Sequence, residues 1–337
     1  MICMILMNEV SKIYETKERA GWLRRQTKRV QAVNGLTMTI EPGEIVGLLG
    51  LNGAGKTTTI RMLSTLLDPT SGSIEVDGLA MNRHRKEIQR KINMIAGGER
   101  MLYWRLTGRE NLEYFGKLYG LESRVLKEIS SRLLTEVGLG DAADRQVEQY
   151  SKGMKQRLQI ARGLINDPDY LFLDEPTLGL DAPIARQLRS TVASLAKEQG
   201  KGILLTSHYL QEVEELCDRV YILDQGRLLL QDRPERIVSR IAGAETAHLE
   251  LEGWNDLLRS ELFLLSGLLE DTTEIRRVDD SKSGSACRIS VRTPSAERVI
   301  SELLPWADRH GMRIVGFSAE KPSLEDAIIM LSEGKAS

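Results

Sequence analysis

Eight residues, Gly50-Leu51-Asn52-Gly53-Ala54-Gly55-Lys56-Thr57, constrain this chain more than any other stretch. They follow an apolar, strand-like run, Ile45-Val46-Gly47-Leu48-Leu49, and precede a helix-like run from Thr58 to Leu67 that stops before Asp68-Pro69. This is the G-x-x-x-x-G-K-[ST] phosphate loop in its strand–loop–helix setting. Glycines let the backbone curl around phosphate oxygens so that several N–H groups meet one anion. The following helix adds its positive N-terminal end. Asn52, Gly53, Ala54, Gly55, Lys56, Thr57 and Thr58 are therefore the expected phosphate-binding set. Lys56 supplies a cation to the β- and γ-phosphates, and the Thr57 hydroxyl is placed to ligate Mg²⁺.

The chain has 337 residues, too many for one ordinary domain and suited to two. With 41% hydrophobic residues it can build a packed core, and a net charge of −2 argues against a wholesale nucleic-acid binder. Cys3, Cys217 and Cys287 are scattered without metal-ligand spacing, as expected of thiols in a reducing compartment. The longest apolar run, Leu262 to Leu269, is broken by Ser266 and Gly267 and falls well short of the ~18 residues of a membrane span. The start, Met1 to Met7, reads as a first strand rather than a signal-peptide core. A soluble, cytosolic chain is expected, with any membrane role supplied by a partner.

Met4 to Tyr14 reads as an edge strand. Glu15 to Arg29 follows as a charged insertion bearing Lys17, Arg19, Trp22, Leu23, Arg24, Arg25, Lys28 and Arg29. It reads as a solvated loop, with a lipid-touching basic patch as the other reading. Ala32 to Ile40 reads as a second strand, and Ser73 to Val76 as a strand entering a hairpin at Asp77-Gly78. Helical spacing dominates from Arg105 to Ala161, as in Leu112, Phe115, Leu118 and Tyr119. Three apolar strands then end in polar groups: Tyr170 to Leu173 in Asp174-Glu175, Gly202 to Ser207 in His208, and Arg219 to Leu223 in Asp224. Open α/β sheets bind ligands at that end.

Asp174, after four apolar residues, is placed to hold Mg²⁺, and Glu175 to orient and deprotonate a water. Between the phosphate loop and this pair lies Tyr150-Ser151-Lys152-Gly153-Met154-Lys155-Gln156-Arg157. The order of these motifs resembles that of an ATP-binding-cassette ATPase. The resemblance makes Ser-x-Gly-x-x-Gln-Arg the signature motif, whose Ser151 and Gly153 would cap the γ-phosphate held by the opposite subunit. Lys152 stands where the motif usually has a glycine, a variation that leaves Ser151 and Gly153 in place. Ser151 also reads as a helix N-cap, and it can do both. Gly179-Leu180-Asp181 resembles the D-loop, and Thr206-Ser207-His208 the switch whose imidazole would contact the γ-phosphate. Tyr14 falls where the family stacks a ring on adenine; as a strand-end core residue it has an ordinary reading too. The family's glutamine after Asn93 to Ala96 is replaced by Gly97-Gly98-Glu99-Arg100. Glu99 is then the candidate Mg²⁺ ligand, or a plain surface charge.

The resemblance extends to Leu102 to Leu106, to Arg109-Glu110-Asn111-Leu112 and to the tail Pro322-Ser323-Leu324-Glu325-Asp326, which look like the drug- and antibiotic-resistance branch of type-two exporters. It implies an α/β cassette of phosphate-loop NTPase type, a mixed sheet with an antiparallel edge, over residues 1–240. A helical subdomain would occupy about 100–160; beyond it, alternating strands at Cys287 to Arg292 and Arg313 to Phe317 with a helix-like Ser295 to Arg309 suggest a small α+β domain over 245–337. The resemblance implies ATP hydrolysis with Mg²⁺, a homodimer, and a separate transmembrane permease that holds the chain peripherally at the cytoplasmic face of the membrane. No nucleic-acid partner is expected. A second class, a soluble cassette acting on ribosomes or nucleic acid, usually has two cassettes or a long coiled-coil insertion, and this chain has neither; a third, a non-hydrolysing nucleotide sensor, has no support in a sequence that keeps Asp174, Glu175 and His208.

Overall fold

The computed structural model describes residues 3–19, 25–96, 102–243, 245–262, 273–280 and 284–332. Contacts divide the chain into two units, Met1–Pro234 and Glu235–Ser337. The first contains, in order, β1 (Ile5–Arg19), β2 (Arg25–Ile40), β3 (Ile45–Gly50), α1 (Lys56–Leu63), β4 (Ser71–Val76), β5 (Leu79–Ala80), α2 (Arg85–Lys91) and β6 (Ile92–Ala96). It continues through α3 (Gly108–Leu118), α4 (Ser123–Glu136), α5 (Lys152–Gly163), β7 (Tyr170–Asp174), α6 (Ala182–Lys197), β8 (Gly202–Thr206), α7 (Leu210–Leu216), β9 (Arg219–Asp224) and β10 (Arg227–Asp232).

Two sheets form this unit. One has the order β10-β9-β3-β8-β7-β6, parallel except for the β9–β10 pair. Its inner strands are continuous apolar runs; every residue of β8 is buried, as parallel strands covered on both faces require. The other sheet, β2-β1-β4-β5, is antiparallel. The two share a core with α1, in which Ile5, Met7, Leu36, Met38, Leu48, Ile60, Phe172 and Leu204 are all buried. The β4–β5 hairpin turns at Asp77 and Gly78, both at positive φ as a two-residue turn demands. Helix α3 starts on a capping box: the Glu110 N–H donates to Thr107 Oγ1 and the Thr107 N–H to Glu110 Oε2.

Two readings of the N-terminal region are corrected. β1 is not an edge strand; it lies between β2 and β4. Of the charged stretch, residues 15–19 and 25–29 are strand rather than loop, since β1 and β2 stay paired from Ile5↔Ile40 out to Arg19↔Arg25, while residues 20–24 lie outside the described residues. Pairing of β1 with β4 stops at Ser11↔Ser71, so among the described residues no third strand pairs with the outer ribbon, and its sequence carries no apolar alternation. Backbone pairing, invisible in the pattern, continues all the same.

A short helix, α8 (Pro234–Ile237), spans the division between units. The second unit contains β11 (Glu245–Glu252), α9 (Arg259–Leu262), β12 (Thr273–Asp280), β13 (Gly284–Thr293), α10 (Ala296–Arg309), β14 (Arg313–Glu320) and α11 (Leu324–Ser332). Its antiparallel sheet has the order β12-β13-β11-β14, the split βαβ arrangement of a small α+β domain. Leu249, Leu251, Ile289 and Val291 pack with Ile300, Leu303 and Trp306 of α10. Ser323 and Asp326 cap α11 reciprocally, with the Asp326 N–H on Ser323 Oγ at 3.2 Å and the Ser323 N–H on Asp326 Oδ2 at 2.8 Å.

Leu204 is fully buried in a strand flanked on both sides. Leu204→Ala is expected to destabilise the first unit by about 2–5 kcal/mol, read as a lower urea midpoint by far-UV circular dichroism.

Candidate active site

The phosphate loop leaves the C-terminal end of β3, between β8 and β9. Two of its glycines are sterically required. Gly50 has φ 145°, and a Cβ there would lie 2.3 Å from the Leu223 carbonyl oxygen. Gly55 has φ 107°, and a Cβ would lie 2.5 Å from the Ala32 carbonyl oxygen. Neither neighbour is a side chain that could rotate away. Ala54 is buried beneath the loop, accepting from the Gly226 N–H at 3.1 Å, while Asn52 and Gly53 are exposed. No side chain caps α1, whose N-cap is Gly55, so its first amides are available to an anion. Lys56 Nζ donates to the Gly50 carbonyl at 2.6 Å, which sets the ammonium at the mouth of the loop. Thr57 is exposed beside it and Thr58 is half-buried.

The second part comes from β7 and β8, whose register sets Asp174 opposite Thr206. Thr206 Oγ1 donates to Asp174 Oδ1 at 2.7 Å. The Glu175 N–H donates to the Thr206 carbonyl at 3.0 Å and lies 3.2 Å from Thr206 Oγ1. These bonds hold Glu175 at φ 53°, a backbone region costly for a residue with a side chain and often found at functional sites. His208 Nε2 then meets Glu175 Oε1 at 2.7 Å. Burial pushes the Lys56 ammonium below the usual lysine range, against an opposing pull from the negative charges of Glu175 and Asp174. Lys56, Asp174, Glu175, Thr206 and His208 are thus one cluster: a cation on the loop, two carboxylates and an imidazole.

The remaining predicted residues lie elsewhere. Ser151 N-caps α5, accepting from the Met154 N–H at 3.2 Å. Gly153 is buried, and a Cβ there would strike Ile184 Cδ1 at 2.5 Å, so the start of α5 is packed on the start of α6. Asp181, the exposed residue before α6, makes no side-chain cap. Among the described residues no hydrogen bond or ion pair joins Ser151, Gly153 or Asp181 to the phosphate loop of the same chain. Tyr14 is half-buried in β1 opposite Val30, with Lys12 Nζ 5.7 Å from its ring centroid. Glu99 lies outside the described residues. Three residues that motif spacing does not single out join the cluster or its supports: Thr206, Thr177 and Glu212. Their roles depend on strand register and on a helix packed behind the turns, neither of which is local in sequence.

For Mg²⁺, the Thr57 hydroxyl and the Asp174 carboxylate are the hard oxygen donors that this ion favours. Among the described residues there is no cluster of three His, Cys, Asp or Glu side chains suited to a metal.

Fold and cluster together define a phosphate-loop nucleoside-triphosphatase cassette. Residues 33–178 match the family model described as ABC transporter. The ATP-binding protein NatA of Bacillus subtilis (strain 168) is 41% identical over 234 residues, 69% of this chain and 91% of that one. The daunorubicin/doxorubicin resistance ATP-binding protein DrrA of Streptomyces peucetius is 34% identical over 309 residues, 90% of this chain and 88% of that one. Among solved structures, an ATP-binding subunit of an ABC transporter aligns with a TM-score of 0.59 at 30% identity, covering 71% of this chain and 93% of that one. The chain belongs to the ATP-binding-cassette transporter family and is an ATPase subunit of it.

Because the two acidic neighbours raise the affinity of Lys56 for its proton, neutralising either should lower it further. In Glu175→Gln and Asp174→Asn the Lys56 pKa is expected to fall relative to wild type, followed by NMR of ¹³Cε-labelled lysine. A rise in either variant would contradict this electrostatic arrangement.

Proposed function

We propose that this chain is the ATP-hydrolysing subunit of an exporter of drug-like or antibiotic molecules, working as a homodimer on a separate transmembrane permease. The observation that carries the reading is the cluster at the ends of β3, β7 and β8. There a loop-bound ammonium, Asp174, Glu175 and His208 converge in the arrangement that ATP hydrolysis needs. The phosphate loop and Lys56 bind and orient the β- and γ-phosphates. Thr57 and Asp174 hold Mg²⁺, which when bound supplies positive charge to the phosphoryl oxygens, and Glu99 is a further proposed ligand. Glu175 takes the proton of the attacking water. His208, in contact with Glu175 Oε1, orients that carboxylate and presents its ring to the γ-phosphate side. Tyr14 is assigned to the adenine ring.

Ser151, Gly153 and Asp181 serve the site of the second copy. Ser151 and Asp181 are exposed, Gly153 is buried at the same helix start, and among the described residues no hydrogen bond or ion pair ties any of them to their own phosphate loop, which supports that assignment. A serine hydroxyl and an amide-rich helix start suit a γ-phosphate approaching from outside.

No described helix is long and apolar enough to cross a membrane; the permease supplies the span and places the chain at the cytoplasmic face. A surface suited to it lies on the helical subdomain. Tyr103, Trp104, Tyr114 and Leu118 are all strongly exposed, Leu118 at 67%. Tyr103 and Tyr114 stack edge-on at 4.8 Å. Leu118 and Tyr119 continue into a cleft of about 500 Å³ that Arg162 also lines. Exposed aromatic and apolar side chains of this kind suit a protein contact. The cargo class rests on relatives named for drug resistance and for export.

Glu175→Gln keeps the oxygen that meets His208 and removes basicity. Hydrolysis is expected to fall by about 10²–10⁴-fold, with ATP binding intact and an ATP-bound dimer accumulating in size-exclusion chromatography. Near-normal turnover would remove Glu175 from the role of base.

A further inference from the structure

The turn that carries Glu175 and the turn that carries His208 are fastened from behind by one side chain. Glu212, in α7, is buried at 3% exposure. Its Oε2 atom accepts two hydroxyl hydrogen bonds, from Thr177 Oγ1 at 2.9 Å and from Ser207 Oγ at 2.5 Å. Thr177 stands two residues after Glu175, and Ser207 immediately before His208. Both donors are themselves buried, at 3% and 5%. Ser207 Oγ in turn accepts from the Tyr209 N–H at 3.0 Å, so the hydroxyl is fixed on both sides of His208.

Burying a carboxylate is costly unless it is paired or hydrogen-bonded. Among the described residues Glu212 has no ion-pair partner; the two hydroxyls are what it is given. Charge-assisted O–H···O⁻ bonds are short and strong, and the 2.5 Å contact with Ser207 falls in that class. The carboxylate reaches neither Glu175 nor His208. It acts on the backbones that present them, one from β7 and one from β8.

We infer that Glu212 is a positioning residue for hydrolysis: its single oxygen sets the spacing of the Glu175 and His208 turns, and through them the 2.7 Å contact between the two side chains. Thr206 joins the same strands in front, through Asp174; Glu212 joins them behind. This rests on Glu175 and His208 being the hydrolytic pair.

The carboxamide of Glu212→Gln has an oxygen that can accept the same two hydroxyls, whereas Glu212→Ala has none. ATP turnover by the full-length chain should therefore separate the two. Glu212→Ala is expected to lower kcat by roughly tenfold or more with KM for ATP within about twofold, and Glu212→Gln to stay within about threefold of wild type. Thr177→Val and Ser207→Ala should each lower kcat several-fold alone, and should add nothing in the Glu212→Ala background. If Glu212→Ala does not fold, the Thr177→Val and Ser207→Ala variants and their double mutant decide, with a combined effect smaller than the product of the singles expected. Unchanged kcat in Glu212→Ala, equal losses in the Gln and Ala variants, or independent effects of the two hydroxyls would overturn the inference. Glu175→Gln and His208→Ala are measured alongside. If both are fully active, the hydrolytic pair itself is wrong; if both are crippled while Glu212→Ala turns over normally, only the positioning role fails.

Discussion

The hydrogen bond from Thr206 to Asp174 is the interaction on which the rest of the site depends. It exists because β7 and β8 run parallel in a register that brings their last residues level. The strands that carry it are apolar and covered on both faces: Leu171, Phe172, Leu173, Ile203, Leu204 and Leu205 all lie within the core, and only their ends bring polar groups to the sheet edge. With the strand ends locked, the chain after Asp174 turns through a strained conformation at Glu175, held by the Thr206 carbonyl, and His208 comes within reach. β3 sits on the other side of β8, so the phosphate loop opens at the same edge of the sheet. The catalytic geometry is thus a consequence of sheet packing, and it costs the loops local strain that a well-packed core can absorb.

The two ends of the site are built differently. The phosphate loop owes its shape to what is missing: side chains at Gly50 and Gly55 would collide with the backbone at Leu223 and Ala32. The carboxylate end owes its shape to what is present, a set of hydroxyls on buried or half-buried acids. Such a division suits a site that must accept a large polyanion through its backbone and yet hold one carboxylate ready to take a proton. The signature residues obey a third logic. Gly153 is needed for the tight approach of α5 to Ile184, which leaves Ser151 at an exposed helix start.

What was legible in the sequence was whatever is contiguous. The phosphate loop, the apolar run into Asp174-Glu175 and the Ser151 cap each occupy a few consecutive residues with strict spacing, and each stands in the expected element. Thr206 and Glu212 were not, because their partners are 32 and 35 residues away and are brought close only by register and helix packing. The outer β1–β2 ribbon was missed for a related reason: with no third strand paired to it among the described residues, no apolar alternation marks it. β1 was mistaken for an edge because nothing local reveals that β4 pairs on its far side. The reading of Glu99 falls on residues that the structure does not describe.

The central claim is that each hydrolytic site joins one copy's phosphate loop to the other copy's signature helix. It is tested most directly by mixing two chains that are each inactive alone. Lys56→Ala removes the cation from the loop but keeps Ser151; Ser151→Arg blocks the signature but keeps the loop. In a mixed dimer one of the two sites then has an intact loop facing an intact signature, while the other lacks both. ATP turnover with the permease present should therefore return on mixing, to a fraction of the wild-type rate. If the mixture stays as inactive as its components while the two chains demonstrably associate, the site is not shared between copies and the account of Ser151 is wrong.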